Sequence, residues 1–168
     1  TGDQRKVLEK QAAAGFSPRQ DPAVPVVIVA DSIVYQTIEG FGASMTDSAA
    51  WLIHRRVPEE QQQAVLESLF HPEKGIGVSF LRNPMGASDL ARFHYSYDEL
   101  PPGEEDPRLE KFSIEHDRAD ILPLLRLALR INPRLRMMGT PWSPPGWMKT
   151  SGSMIGGSLR REAYTAFA

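Results

Sequence analysis

Short runs of β-forming residues alternate along this chain with longer segments of helical period. That order restricts it to a parallel sheet with helices packed outside, an α/β fold. The first run, "VPVVIVADSIVYQTIE" at 24–39, reads as two β-branched strands around a polar turn at Asp31 and Ser32. "GFGAS" at 40–44 closes a further strand, and "MTDSAAWLIHRR" opens a helix with Thr46 or Asp47 as its N-cap. Pro58 starts a second helix in which Val65, Leu66, Leu69 and Phe70 share one face. "GIGVSFLRNPMG" at 75–86 is a turn followed by a short buried strand around Val78, Phe80 and Leu81. The roughly 35 residues after it hold no sustained period, and a loop that long inside a domain is usually functional. "DRADILPLLRLALRI" then returns to helical spacing, with Pro123 either in the first turn or bending the helix. "RLRMM" reads as a buried strand, and a last helix begins near Leu159.

Composition excludes several function classes. With 168 residues, 41% of them hydrophobic and 24% charged, the chain has the make-up of a folded globular protein. A net charge of −2 supplies no general attraction to nucleic acid or to an anionic membrane. The arginines of "LRLALRINPRLR" are spaced for the solvated face of a helix and its exit turn. There is no cysteine, which removes disulfides, thiol nucleophiles and thiolate metal sites. His54, His71, His94 and His116 are scattered without metal-ligating spacing, so no metal site is predicted. No apolar run reaches the ~20 residues of a membrane span, so no transmembrane segment is expected. Residues 1–20 hold no signal-peptide core, and an exported protein would already have lost its signal. "GFGASM" and "GIGVSF" lack the third glycine of a dinucleotide fingerprint and read as tight turns. No G-K-[ST] or G-x-S-x-G is present.

The chemistry-bearing stretches, "GFGASMTD", "RNPMGASDLARFHYSYDE" and "TPWSPPGWMKTSG", all follow strands. Ligands of parallel α/β folds sit beyond those strand ends. Trp142 comes directly after a strand and is stiffened by Pro141, Pro144 and Pro145, which fixes a flat apolar face suited to the C–H face of a sugar ring. Trp147 is read as anchoring the same loop from behind. Asp89 either caps its own loop or accepts hydrogen bonds from adjacent sugar hydroxyls, with Arg82 as a near neighbour. Asp47 is read as a helix cap, and Glu104, Glu105 and Asp106 as a solvated acidic tip.

Taken together, "IEGFGASMTDSAAWL", "GIGVSFLRNPMGASDLARFHYSYDE" and "PWSPPGWMKTSGSMIGGSL" resemble glycoside hydrolase family 30, which contains lysosomal-type glucosylceramidase and microbial endo-β-1,6-glucanases. The resemblance covers about residues 24–168. It implies the N-terminal part of a (β/α)8 TIM barrel, with residues 39–168 as its first three βα units and 1–38 as part of a β-rich side domain. It also implies retaining hydrolysis of a β-glucoside, glycolipid or β-glucan, in which carboxylates do the proton work and no cofactor is needed. Asp89 and Trp142 match positions that hold the sugar, and Arg82 matches an arginine beneath that site. Leu90 stands where the family often has an aromatic residue. The family's acid/base glutamate lies in an Asn-Glu-Pro context after the fourth strand, and its nucleophile glutamate after the seventh. No such tripeptide occurs in this chain, so no catalytic residue is assigned and both glutamates are expected beyond Ala168. The chain alone, without the C-terminal half of its barrel, is then expected to be inactive, and its parent to act outside the cytosol. Rival readings are a β-xyloside or β-fucoside substrate, and a carbohydrate-binding protein without catalysis.

Overall fold

Three parallel strands in the order β1-β2-β3 carry the fold: β1 is Gly42–Ser44, β2 Phe80–Met85 and β3 Arg136–Pro141. The computed structural model describes residues 12, 13, 15 and 23–168. Ala43 lies opposite Leu81, and Leu81 opposite Met137. At Gly42 a Cβ would fall 2.6 Å from the Phe80 carbonyl oxygen, so only glycine permits this approach of β1 to β2.

Parallel neighbours need long crossovers, and helices supply them. Between β1 and β2 run α1 (Asp47–Arg56) and α2 (Glu59–Phe70); between β2 and β3 run α3 (Glu115–Ala119) and α4 (Ile121–Ile131). Of the two cap candidates for α1, Thr46 takes the position, its hydroxyl oxygen accepting from the Ala49 N–H at 3.3 Å. Pro123 is the third residue of α4, where no intrahelical acceptor is lost. The α4 residues Ile121, Leu124, Leu125 and Ala128 recur at helical spacing and are buried with Leu66 and Phe70 of α2 against Leu81 of β2. Arg126, Arg130 and Arg134 stay exposed, as their spacing predicts. Among the described residues no helix is long and apolar enough to cross a membrane.

Several expectations require correction. Phe80 is not buried: successive strand residues face opposite sides, so Leu81 meets the helices and Phe80 the uncovered face of the sheet. Of "RLRMM" only Leu135 is buried, at 6% in the core; β3 itself is exposed on both faces, Met137 at 43% and Met138 at 44%, because among the described residues it pairs with β2 alone. The last helix starts later than Leu159: a 3-10 turn at Arg161–Ala163 leads into α5, Tyr164–Phe167.

The chain divides into two units, Thr1–Thr37 and Ile38–Ala168. In the first, the turn at Asp31 and Ser32 forms, with the Ile33 N–H donating to the Ala30 carbonyl at 3.2 Å. The residues flanking it make no ladder among the described residues and so are not strands; a strand exists only with a partner.

Candidate active-site cleft

Two loops leave the C-terminal ends of β2 and β3 and build the site. The first turns at Gly86, whose φ of 84° lies in the left-handed region and whose added Cβ would sit 3.3 Å from the Tyr95 carbonyl oxygen. The Ala87 N–H then donates to that carbonyl at 2.8 Å, folding the loop back on itself. At its tip the Ser88 carbonyl accepts from the Ala91 N–H and the Ser88 hydroxyl from the Leu90 N–H, both at 3.2 Å. Ser88 therefore caps this turn. Asp89 does not: its carboxylate is exposed and takes no hydrogen bond from any described residue.

The second loop begins at Trp142. Ser143 donates through its hydroxyl to the Met154 carbonyl at 3.1 Å, and Lys149 reaches the same carbonyl at 2.6 Å, drawing the loop closed. The Gly146 N–H donates to the Glu99 carboxylate, and the Trp147 indole N–H to both the carbonyl and the carboxylate of Asp98 at 3.1 Å. The second loop is thereby tied to the first through Trp147, while Trp142 faces elsewhere.

Asp89, His94, Trp142, Ser143 and Ile155 line one cleft of about 190 Å³. Trp142 keeps 45% of its surface exposed. Its ring lies 4.8 Å from the guanidinium carbon of Arg82, a cation–π distance. Arg82 makes no ion pair with Asp89; its guanidinium packs on Trp142, which lines the same cleft as Asp89. Asp89 and Trp142, chosen from the sequence for different reasons, thus reach the same cleft. It offers a fixed aromatic plate, a free carboxylate, an imidazole and a hydroxyl. Asp89 is the only carboxylate among its lining residues.

A buried polar cluster fixes the first loop from below. Asp47, the first residue of α1 and only 5% exposed, accepts at 2.9 Å from the Arg92 backbone N–H and from both Nε and Nη2 of its guanidinium. His116 Nε2 lies 2.9 Å from the same carboxylate. Burial pushes the Asp47 carboxyl up, but the bonds from Arg92 and His116 outweigh it and hold the group well below the usual carboxylate range. Asp120 behaves alike, burial being outweighed by His54 at 2.8 Å and Arg55 at 2.6 Å. Asp117 takes the Tyr95 and Tyr97 hydroxyls, and burial foremost, with that carboxylate, drives both phenols upward. The His116 ring packs on Tyr95 with centroids 3.7 Å apart.

The sequence reading missed Asp47, Arg92, His116 and the cleft residue His94. Two signals were present. Thr46 and Asp47 compete for one cap position, which leaves the other side chain free for a different task. Phe93, Tyr95 and Tyr97 alternate as an extended ribbon would, and their rings pack in succession, tilted by 59° and 48°, with centroids 6.0 and 6.4 Å apart. Asp106 is also corrected: it is 6% exposed, its carboxylate accepting from the Lys111 backbone N–H. Glu104 and Glu105 are exposed as read, paired with Lys111 and Arg160.

Three parallel strands with helical crossovers, and a cleft at their C-terminal ends, define part of an α/β barrel. Residues 38–167 match the glycosyl hydrolase family 30 TIM-barrel domain, and the chain belongs to that family. It is 35% identical over 134 residues to the endo-1,6-beta-D-glucanase of Neurospora crassa, covering 79% of this chain and 27% of that protein. Over 136 residues it is 35% identical to the lysosomal acid glucosylceramidase of Mus musculus, covering 79% of this chain and 25% of the relative. The solved structure of SrfJ from Salmonella typhimurium aligns with a TM-score of 0.70 at 33% identity, over 79% of this chain and 29% of that one. The chain spans about a quarter of the length of the curated relatives it matches.

Proposed function

We propose that this chain forms the sugar-holding wall of a retaining β-glycosidase that hydrolyses β-glucosides. The observation that carries the reading is the convergence of Asp89 and Trp142 on one cleft. A carboxylate with no partner among the described residues can accept from two neighbouring hydroxyls of a sugar, and the tryptophan plate covers the apolar C–H face. Arg82 sets the plane of that plate. Retaining hydrolysis requires a second pair of groups: an acid that protonates the leaving oxygen and a carboxylate ~5–5.5 Å away that attacks the anomeric carbon. The cleft's single carboxylate is better placed to bind than to do both. On this reading the acid/base and nucleophile carboxylates are supplied by parts of the barrel other than these three strands and their loops, and residues 38–168 bind sugar without cleaving it. Glucosides are favoured over other glycosides by the named activities of the relatives. The test is proton NMR during hydrolysis of a β-glucoside by the intact protein. β-Glucose is expected as the first product; α-glucose first, or no turnover, contradicts the reading.

A further inference from the structure

Asp89 stands at a turn that Ser88 caps, but its own carboxylate makes no bond among the described residues, and its neighbour Leu90 is 60% exposed. Such a tip would wander unless something fixes it from outside the loop. The fixing contacts come from the start of α1. The Leu90 carbonyl accepts from the Ser48 N–H at 3.2 Å, and three residues beyond Asp89 the backbone and guanidinium of Arg92 close on Asp47 with three bonds of 2.9 Å. The bidentate fork and the backbone bond together set position and orientation, which a single point contact would not. His116 of α3 completes the carboxylate's shell at 2.9 Å, and Arg92 also lies 5.4 Å over the Trp51 ring. Asp47 does not line the cleft.

We infer that Asp47 is a positioning residue: it clamps the loop through Arg92 and so holds Asp89 at its place in the cleft. This inference rests on the sugar-site reading above. The loop is charged against the rigid end of α1, so the geometry of the cleft depends on a group that never meets the substrate. Misplacement of a binding group by about 1 Å can cost up to a hundredfold in rate.

The test uses the intact protein with two readouts. Amide hydrogen exchange follows the loop itself, and kcat/KM on p-nitrophenyl β-D-glucoside is measured for Asp47→Asn, Asp89→Asn and the double variant. In Asp47→Asn the amides of residues 87–95 are expected to exchange faster while those of β2 do not change. The loss in kcat/KM should be about tenfold with Asp89 present and shrink to about twofold in the Asp89→Asn background, the coupling expected of residues acting through one another. Asn132→Ala serves as the comparison: it removes a buried bond to the carbonyl of Val78, which precedes β2, whereas the loop follows its C-terminal end, and its effect should multiply unchanged with that of Asp89→Asn. Unaltered exchange at 87–95, or losses that simply multiply for Asp47 and Asp89, would overturn the inference. Faster loop exchange with a silent Asp89→Asn would support the clamp and overturn the sugar-site reading instead. Should Asp47→Asn fail to fold, Arg92→Lys keeps the positive charge, removes the fork, and is held to the same outcomes.

Discussion

Asp98 and Asp47 are each 5% exposed, yet their surroundings treat the charged form in opposite ways. One oxygen of Asp98 accepts from Trp147; the other has no partner among the described residues. Burial raises its carboxyl more than the Trp147 bond lowers it. A carboxyl raised in the folded state contributes stability below its unfolded value, near pH 4, and loses it as pH rises through the folded value. Asp98→Asn is therefore expected to melt higher than the native protein near neutral pH, by an amount that fades toward about pH 4. A lower melting temperature at neutral pH would contradict this. Asp47 is depressed instead, so its contribution is present above about pH 4 and lost as pH falls. Asp47→Asn should cost about 1–3 kcal/mol near neutral pH, the worth of charge-assisted hydrogen bonds to a guanidinium that stays partly solvated and keeps Asp120 at 3.7 Å. In acid melts that difference should shrink below about pH 4; a constant difference would contradict the assignment. Little of this was legible. Thr46 announces a cap in the sequence, but nothing adjacent to Asp47 reveals that its partners are Arg92 and His116, brought to it only by the fold.

The elements themselves were more legible, because helical period and backbone chemistry are local. The apolar face of α4 is written in its spacing, and Pro123 could occupy only the first turn without breaking it. The three strands of the sheet were legible in position and less so in exposure, while the two expected within 24–39 did not form for want of a partner; burial of Phe80, Met137 and Met138 depends on what covers each face and edge, which no local pattern states. The β2–α3 loop has no repeating hydrogen-bond pattern to leave a period, and its order comes from Gly86, the Phe93–Tyr95–Tyr97 ribbon and the buried aspartates. Its weak point is Gly86. Gly86→Ala places a Cβ at positive φ and against the Tyr95 carbonyl, and is expected to destabilise the protein by about 1–2 kcal/mol or more. Leu124→Ala, in the core of α4, should cost about 2–5 kcal/mol by cavity formation. The two differ in consequence: in urea melts both lower stability, but only Gly86→Ala should also weaken activity on a β-glucoside beyond the loss of folded protein. Equal specific activities would contradict the loop's role.

At the scale of the whole molecule, the order of strands and helices was enough to predict a parallel sheet, and the three loop motifs were enough to place the chain in a glycosidase family. Asp89 and Trp142 were found by position, one residue type suited to hydroxyls and one to a sugar's apolar face, each just past a strand. The site they form depends on β2 and β3 being neighbours in the sheet, which brings loops more than fifty residues apart to one cleft. The central claim, that this cleft holds sugar, is tested most directly by kcat/KM on a β-glucoside for the intact protein and its Asp89→Asn variant. Asp89 is exposed and takes no bond from described residues, so the melting temperature should not change. A fall in kcat/KM of about tenfold to a hundredfold, the worth of a lost charge-assisted bond to substrate, is predicted. An unchanged kcat/KM would contradict the account.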